Sequence, residues 1–532
     1  MPLQTDEFLR FVRIFGGAPQ NQVPRSVYPI IPMSSVWSAV LQKLRVELAS
    51  IARDTTSLMN ATAFRRGRST RGTTIAKLDP TPAQQIAGSR LQERLMQWHT
   101  VTGGILKRHS ISTPVRLRYL VDEAIVCARL ERQTRANITS SQWRREFKEE
   151  LGALEAELAR ILDVIDTTVQ HTAARTTEIV DVLITEIDEQ QIRVTMTPAT
   201  NTSAPPIVYL PFTPTELDLL IQKYQTPRPD RPVDLSASLA EFGHALYRDV
   251  LSPELPRSLD RARSSGSDLQ LRLHLEGGVR LHHIPWEVLH DGNEFLAVAR
   301  GITIARHVAS ERNRSDATSL RRVLITISNP KTLSPLQAGV EHDRLKAALG
   351  GLEMLGLLQI DVATDGSRNT LRRMLDTADE SGRPYDAWHY IGHARFNEEL
   401  KRSELAFVGD DGSDHWVGEL ELLPLLHAHP SLGLVVLNAC NSLAFAQVLA
   451  TSGIPAIVAM QFEITNEAAI AFSEELYASL IEGHDILGAV NDGRRALFCR
   501  TRGVEWMTPV LVLSTLLRSK PSLLHSRDPE GR

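Results

Sequence analysis

The run Leu432-Gly-Leu-Val-Val-Leu-Asn-Ala-Cys440 reads as a buried strand ending on a thiol. A second run, Ala387-Trp-His-Tyr-Ile-Gly-His393, ends on an imidazole 47 residues before that cysteine. Short apolar runs bounded by loops suit strands covered on both faces. If the two are neighbours in one parallel sheet, both reactive groups emerge at its carboxyl edge, where open α/β sheets gather their ligands. Adjacent strands lie about 4.8 Å apart, so side chains just beyond two such ends come within reach of one another. A free thiol, with a reference pKa of about 8.5, is a poor nucleophile near neutral pH and needs an adjacent base. A lone cysteine after a strand is only a small buried hydrophobe; the spacing to Gly392-His393 is what makes Cys440 a candidate.

The surrounding sequence alternates strand and helix. Val323-Leu-Ile-Thr-Ile327 precedes Ser328-Asn-Pro330 and an amphipathic stretch from Ala338 to Leu349. Leu357-Leu-Gln-Ile-Asp-Val362 is the next strand, followed by a helix through Leu371-Arg-Arg-Met-Leu375. Beyond His393, a strand from Glu404 enters an Asp411-Gly412 turn before Trp416, and a helix around Leu420 to Leu426 leads to the Cys440 strand. Ser442 is placed to cap a helix that stops near Gly453. Ile454-Pro-Ala-Ile-Val-Ala-Met460, helices opened by Asn466 and Asp485, and Pro509-Val-Leu-Val-Leu513 complete the pattern. Six strands with interleaved helices imply a mainly parallel α/β sheet with helices on both faces.

Composition excludes several alternatives. The chain has 532 residues, 42% hydrophobic and 23% charged, which is ordinary for a globular protein and excludes a disordered one. No apolar run reaches the roughly 18 residues of a membrane-spanning helix, and Met1-Pro-Leu-Gln-Thr-Asp-Glu7 lacks the regions of a secretory signal, so a cytoplasmic protein is expected. Cys127, Cys440 and Cys499 are the three cysteines; without a close pair they suit a reducing compartment and offer no zinc site. No cofactor or metal is expected, and no membrane partner.

Trp388-His-Tyr-Ile-Gly-His-Ala394 and Val436-Leu-Asn-Ala-Cys-Asn-Ser442 resemble the histidine and cysteine blocks of CHAT domains, caspase-like cysteine peptidases related to separase, caspases and metacaspases. Gly453-Ile-Pro-Ala-Ile-Val-Ala459, Trp506-Met-Thr-Pro-Val510, Ile284-Pro-Trp-Glu-Val-Leu289 and Phe295-Leu-Ala-Val298 match further blocks in the family's order, together spanning about residues 179 to 515. The resemblance implies a caspase-like core, a protein substrate, His393 as general base and Cys440 as nucleophile. It further implies an oxyanion hole from the backbone N–H groups of Gly392 and Cys440. Such donors are worth roughly 3–4 kcal/mol each to the transition state. His389 matches a family histidine, but its alternation along the strand gives it a structural role.

Two departures stand out. Ala394 replaces a family glycine, which matters only if that position needs a positive φ. Asn438, two residues before the cysteine, replaces the acid that favours basic residues in metacaspases, so specificity stays open; Asp410, Asp411, Asp414 and Glu463 are candidate pocket acids.

Upstream, residues 1–173 read as a helical domain. Ser34 to Leu48 and the long stretch from Trp143 to Ala173 carry apolar residues at helical spacing. Arg65 to Lys148 holds 17 basic against 6 acidic residues in a chain of net charge −4, a surface for an acidic partner or nucleic acid. Residues 174–315 read as an α+β accessory lobe with a hairpin (Ile179–Ile187 and Gln191–Met196), a helix from Thr213, loops at Pro227–Pro232 and Ser264–Ser267, and Pro285-Trp-Glu287 as packing around an indole. Residues 316–518 form the expected peptidase core and 519–532 a tail. The sequence reading is a CHAT-type endopeptidase with a His/Cys dyad, latent until an activating or recruiting partner engages the N-terminal domain, in a bacterial defence or cell-death system. Its alternatives are an inactive scaffold that binds protein partners and a nucleic-acid-sensing regulator.

Overall fold

A computed structural model describes residues 64–68, 74–78, 81–108 and, with short gaps, 176–516, besides scattered positions from 46 to 58 and at 149 and 156. The Trp143–Ala173 periodicity, the Pro227–Pro232 loop and most of the 338–349 stretch lie outside the described residues.

In chain order the strands are β1 (Phe64–Arg68), β2 (Thr74–Leu78), β3 (Thr177–Glu186), β4 (Gln191–Thr197), β5 (Ile207–Tyr209), β6 (Asp268–Glu276), β7 (Ile302–Ser310) and β8 (Arg322–Ile327). They continue as β9 (Gln359–Ala363), β10 (Ala387–Ile391), β11 (Ala394–Asn397), β12 (Arg402–Val408), β13 (Asp414–Gly418), β14 (Leu434–Asn438), β15 (Ala456–Met460) and β16 (Pro509–Leu516). Strands β1 and β2 form a separate antiparallel hairpin, and β11, β12 and β13 a small antiparallel sheet.

The six core strands read from sequence lie side by side in the order β16-β15-β14-β10-β8-β9, all parallel except β16 against β15. Their alternation fills two cores. Ala387, Ile391, Val436 and Val458 face one side with Leu476, Tyr477 and Leu497. Trp388, Tyr390, Val435, Leu437 and Ile457 face the other with Leu371, Leu375, Phe445 and Leu449. Each side is thus closed by helices, Asn466–Ile481 and Ile486–Arg500 on the first, Arg368–Glu380 and Leu443–Thr451 on the second.

The sheet does not stop at six strands. Strand β16 also pairs in parallel with β7, and β7 with β6, β6 with β3, so that residues 177–310 extend the same sheet to eleven strands. The expected hairpin is present as β3 against β4, but β6 and β7, which join this wing to the core, were not among the strands expected. The Ser264–Ser267 loop is a tight turn: Ser265 ends the helix Glu254–Ser265 and Gly266 turns at φ 67° directly into β6.

Candidate functional site

Strands β10 and β14 pair in parallel with Ile391 opposite Asn438. Two residues beyond each end come His393 and Cys440, so the register places both on the same level of the carboxyl edge. The chain order reverses between β8 and β10, since β8 leads outward to β9 and the chain returns across β8 to β10. A crevice outside such a switch point is the usual binding place in an open α/β sheet.

The loop after β8 supplies a group that no motif announced. His393 Nε2 is 2.8 Å from the Ser334 carbonyl oxygen. A carbonyl only accepts, so Nε2 carries the proton, and in the neutral ring the lone pair sits on Nδ1. The backbone of His393 is held just as firmly: its carbonyl accepts from the Ala406 N–H at 2.9 Å and from the Tyr390 hydroxyl at 3.1 Å. Gly392 is the residue that permits this. A Cβ there would lie 2.2 Å from the Tyr390 hydroxyl oxygen, so any side chain would displace the phenol that props up the loop. Ala394 begins β11 in extended conformation, where a methyl group is tolerated. Its departure from glycine therefore strains nothing.

Cys440 is a free thiol, half-buried at the mouth of a sharp turn. Asn441, at φ 56°, is the non-glycine residue with positive φ among those described; asparagine tolerates this conformation better than most residues. The turn is cradled by the segment after β15: Ser442 N–H donates to Met460 O at 2.8 Å, Met460 N–H to Ser442 Oγ at 3.0 Å, and Asn441 N–H to Phe462 O at 3.5 Å. Ser442 precedes the helix Leu443–Thr451 as expected, but its hydroxyl makes no cap. It bonds the Leu437 carbonyl at 3.3 Å and the Met460 amide instead, because these buried groups need it more than a helix end does.

Burial pushes the Cys440 thiol up from its ordinary pKa, and the Glu463 carboxylate pushes in the same direction; the N–H groups of Ile464 and of Cys440 itself pull it down. The Gly392 amide donates to Asn438 O at 3.4 Å, extending the β10–β14 ladder by one long bond. Asn438 is itself buried at the end of β14.

The remaining pocket candidates sit farther out. Asp410 and Asp411 lie at the exposed tip between β12 and β13, where Gly412 takes φ 82°. Asp411 accepts from Ser413, and Asp414 accepts from the Thr332 hydroxyl and the Trp416 indole. Lys331 and Arg395 act on these two carboxylates electrostatically, so they are locally satisfied. His389 is buried in β10 with Nδ1 3.0 Å from the Tyr477 hydroxyl, and burial lowers its pKa to about 3. It is a neutral core histidine. Among the described residues no group of His, Cys, Asp and Glu could hold a metal ion, and no helix is long and apolar enough to cross a membrane.

With this geometry in place, comparison with known proteins supplies the class. The model of the CHAT domain family matches residues 240–505, half of the chain, and the protein belongs to that family. No curated protein matches it. Among solved structures it is similar to the Saccharomyces cerevisiae separase–securin complex, with 12% identity and a TM-score of 0.36 over 96% of this chain and 42% of that one. The chain therefore spans less than half the length of that structural relative.

Proposed function

We propose that the protein is a cysteine endopeptidase in which Cys440 Sγ attacks a peptide carbonyl and His393 Nδ1 takes the thiol proton. The proton passes to the leaving amine as the C–N bond breaks, and water hydrolyses the thioester left on Cys440. The observation that carries this reading is the parallel register of β10 and β14, which sets an imidazole with a fixed tautomer level with a free thiol. Membership of the CHAT family supports it.

The described conformation suits a resting enzyme. Burial and the Glu463 charge push the thiol up from its ordinary pKa, and the Gly392 amide is occupied by the ladder. An oxyanion hole formed by the Gly392 and Cys440 amides requires that long 3.4 Å bond to open. Activation, in this reading, releases the Gly392 amide to a substrate carbonyl seated over the thiol. The activating signal enters through a protein partner at the N-terminal domain, residues 1–173.

The test is intact-protein mass spectrometry after exposure to peptidyl acyloxymethyl ketones with basic, acidic or apolar final residues. A single adduct, absent in Cys440→Ala and slowed in His393→Ala, is expected. Absence of labelling by every probe, with and without cell lysate as a source of activator, would leave a CHAT scaffold without peptidase activity.

A further inference from the structure

The segment that cradles the nucleophile is gripped from behind by charges with no access to solvent. Arg306 on β7 meets Glu287 through Nε to Oε1 at 3.1 Å and Nη2 to Oε2 at 2.6 Å. Both side chains are at most 2% exposed. The Gln461 side chain closes the cluster: its Oε1 accepts from Arg306 Nη2 at 3.0 Å, and its Nε2 donates to Glu287 Oε2 at 3.1 Å and to Met507 O at 2.6 Å. Its backbone N–H donates to Thr508 O at 3.0 Å. Rotation of that amide would orphan three buried partners at once.

Gln461 stands between Met460, which binds the Ser442 turn, and Phe462, which accepts from Asn441. Two and three residues further on are Glu463 and Ile464, the groups acting on the thiol. A second tie runs from the same arginine. Arg306 Nη1 donates to the His282 carbonyl at 2.7 Å, and His282 Nδ1 is 2.7 Å from Nε2 of Gln447 on the helix that follows the nucleophile. The Pro285–Glu287 turn, read from sequence as packing around Trp286, does bury that indole against Leu281 O. Its neighbour Glu287 adds the link to the site.

We propose that Gln461 is a positioning residue for the nucleophile: anchored on the Glu287–Arg306 pair, it fixes Met460 and Phe462, whose backbone bonds to Ser442 and Asn441 hold the turn that carries Cys440, so that β7 and the Pro285–Glu287 turn set the reactivity of the thiol. The proposal rests on Cys440 being the nucleophile and adds a residue that touches no substrate. Glutamine is demanded by chemistry. A glutamate would face the Glu287 carboxylate and the Met507 carbonyl, and an apolar side chain would leave Arg306, Glu287 and Met507 each short of a partner.

The test uses the full chain and a reagent that needs no peptidase activity. The rate of Cys440 carbamidomethylation by iodoacetamide is followed by peptide mass spectrometry from pH 6 to 11, with exposed Cys499 in the same molecules as internal reference. Gln461→Met should loosen the Met460 and Phe462 bonds that hold the Cys440 turn and shift the Cys440 midpoint by about one pH unit, a tenfold change in rate below it, while Cys499 keeps its rate. Thermal unfolding shows that the variant is folded; if it is not, Gln461→Asn, which keeps the amide but shortens its reach, replaces it. An unchanged Cys440 midpoint in a folded variant would overturn the proposal. A shifted midpoint in a protein that no peptidyl probe labels would retain Gln461 as the group that sets the thiol's environment and remove the peptidase reading alone.

Discussion

The front and the back of the nucleophile segment are held very differently. At the front, the Gly392 and Asn441 amides reach their acceptors at 3.4 and 3.5 Å, and Asn441 turns at φ 56°. At the back, Arg306, Glu287 and Gln461 are joined by bonds of 2.6 to 3.1 Å among buried side chains. Long bonds at a strained turn open at little cost, whereas a buried ionic network is stable only while every member is present. The difference teaches where this molecule can yield: the Gly392 and Asn441 amides can leave their acceptors, while the Ser442–Met460 bonds of 2.8 and 3.0 Å and the buried cluster behind them hold.

The contrast can be broken most severely from the back. Arg306→Ala should lower stability by about 3–5 kcal/mol, because Glu287 loses both close bonds and keeps only the buried Arg494 guanidinium, 3.9 Å away, as a counter-charge. Removing the exposed Arg372–Asp376 pair should change it by less than about 0.5 kcal/mol; denaturant unfolding of the two variants measures both. Equal effects would show that the cluster gives no rigid support.

A second strain enters through the loop. Gly392→Ala drives a methyl group into the Tyr390 phenol and should destabilise the chain by about 1–3 kcal/mol. It should also slow Cys440 labelling by peptidyl probes, because the His393 carbonyl leaves its tether. Normal labelling would indicate that the tether does not position the base.

His389 sharpens the comparison through pH. Its folded pKa is lowered to about 3, against about 6.5 unfolded. The unfolded chain therefore binds the extra proton between those values, and stability from this group is fully present above pH 6.5 and lost as pH falls towards 3. Each unit within that window removes about 1.4 kcal/mol. His389→Met should flatten that part of the stability profile; an unaltered profile would show the acid sensitivity to arise elsewhere.

The smallest effect belongs to the turn itself. Asn441→Gly should leave stability within a few tenths of a kcal/mol, while Asn441→Ala should cost about 1 kcal/mol for its positive φ. Thermal unfolding distinguishes the two, and a larger loss in the glycine variant would point to a side-chain role for Asn441.

The core was legible because local pattern and tertiary environment agree there. Val323–Ile327, Ala387–Ile391, Leu434–Asn438 and Ala456–Met460 are apolar but for Thr326, His389 and Asn438 because helices cover both faces, and the strands that end before His393 and Cys440 are neighbours, as the reading of a dyad required. The Asp411-Gly412 turn and the Asp485 cap were legible for local reasons: Gly412 takes a positive φ, and Asp485 Oδ1 accepts from the Gly488 amide at 2.7 Å. The wing was harder. Leu269, Leu271, Leu273 and Leu275 alternate with Gln270, Arg272 and His274 in β6, a period-two signal, yet nothing local says that this strand joins the core by way of β7 and β16.

Sequence by itself determined the alternation of strands and helices, the placement of His393 and Cys440 at strand ends, and the CHAT family. These follow from short-range periodicity and from motifs a few residues long. Only the tertiary structure decided that the sheet runs unbroken through eleven strands, that the Ser334 carbonyl sets the tautomer of His393, and that Gln461 joins Arg306 and Glu287 behind the thiol. A backbone carbonyl has no sequence signature, and partners 155 and 174 residues apart are selected by the packing of the whole sheet.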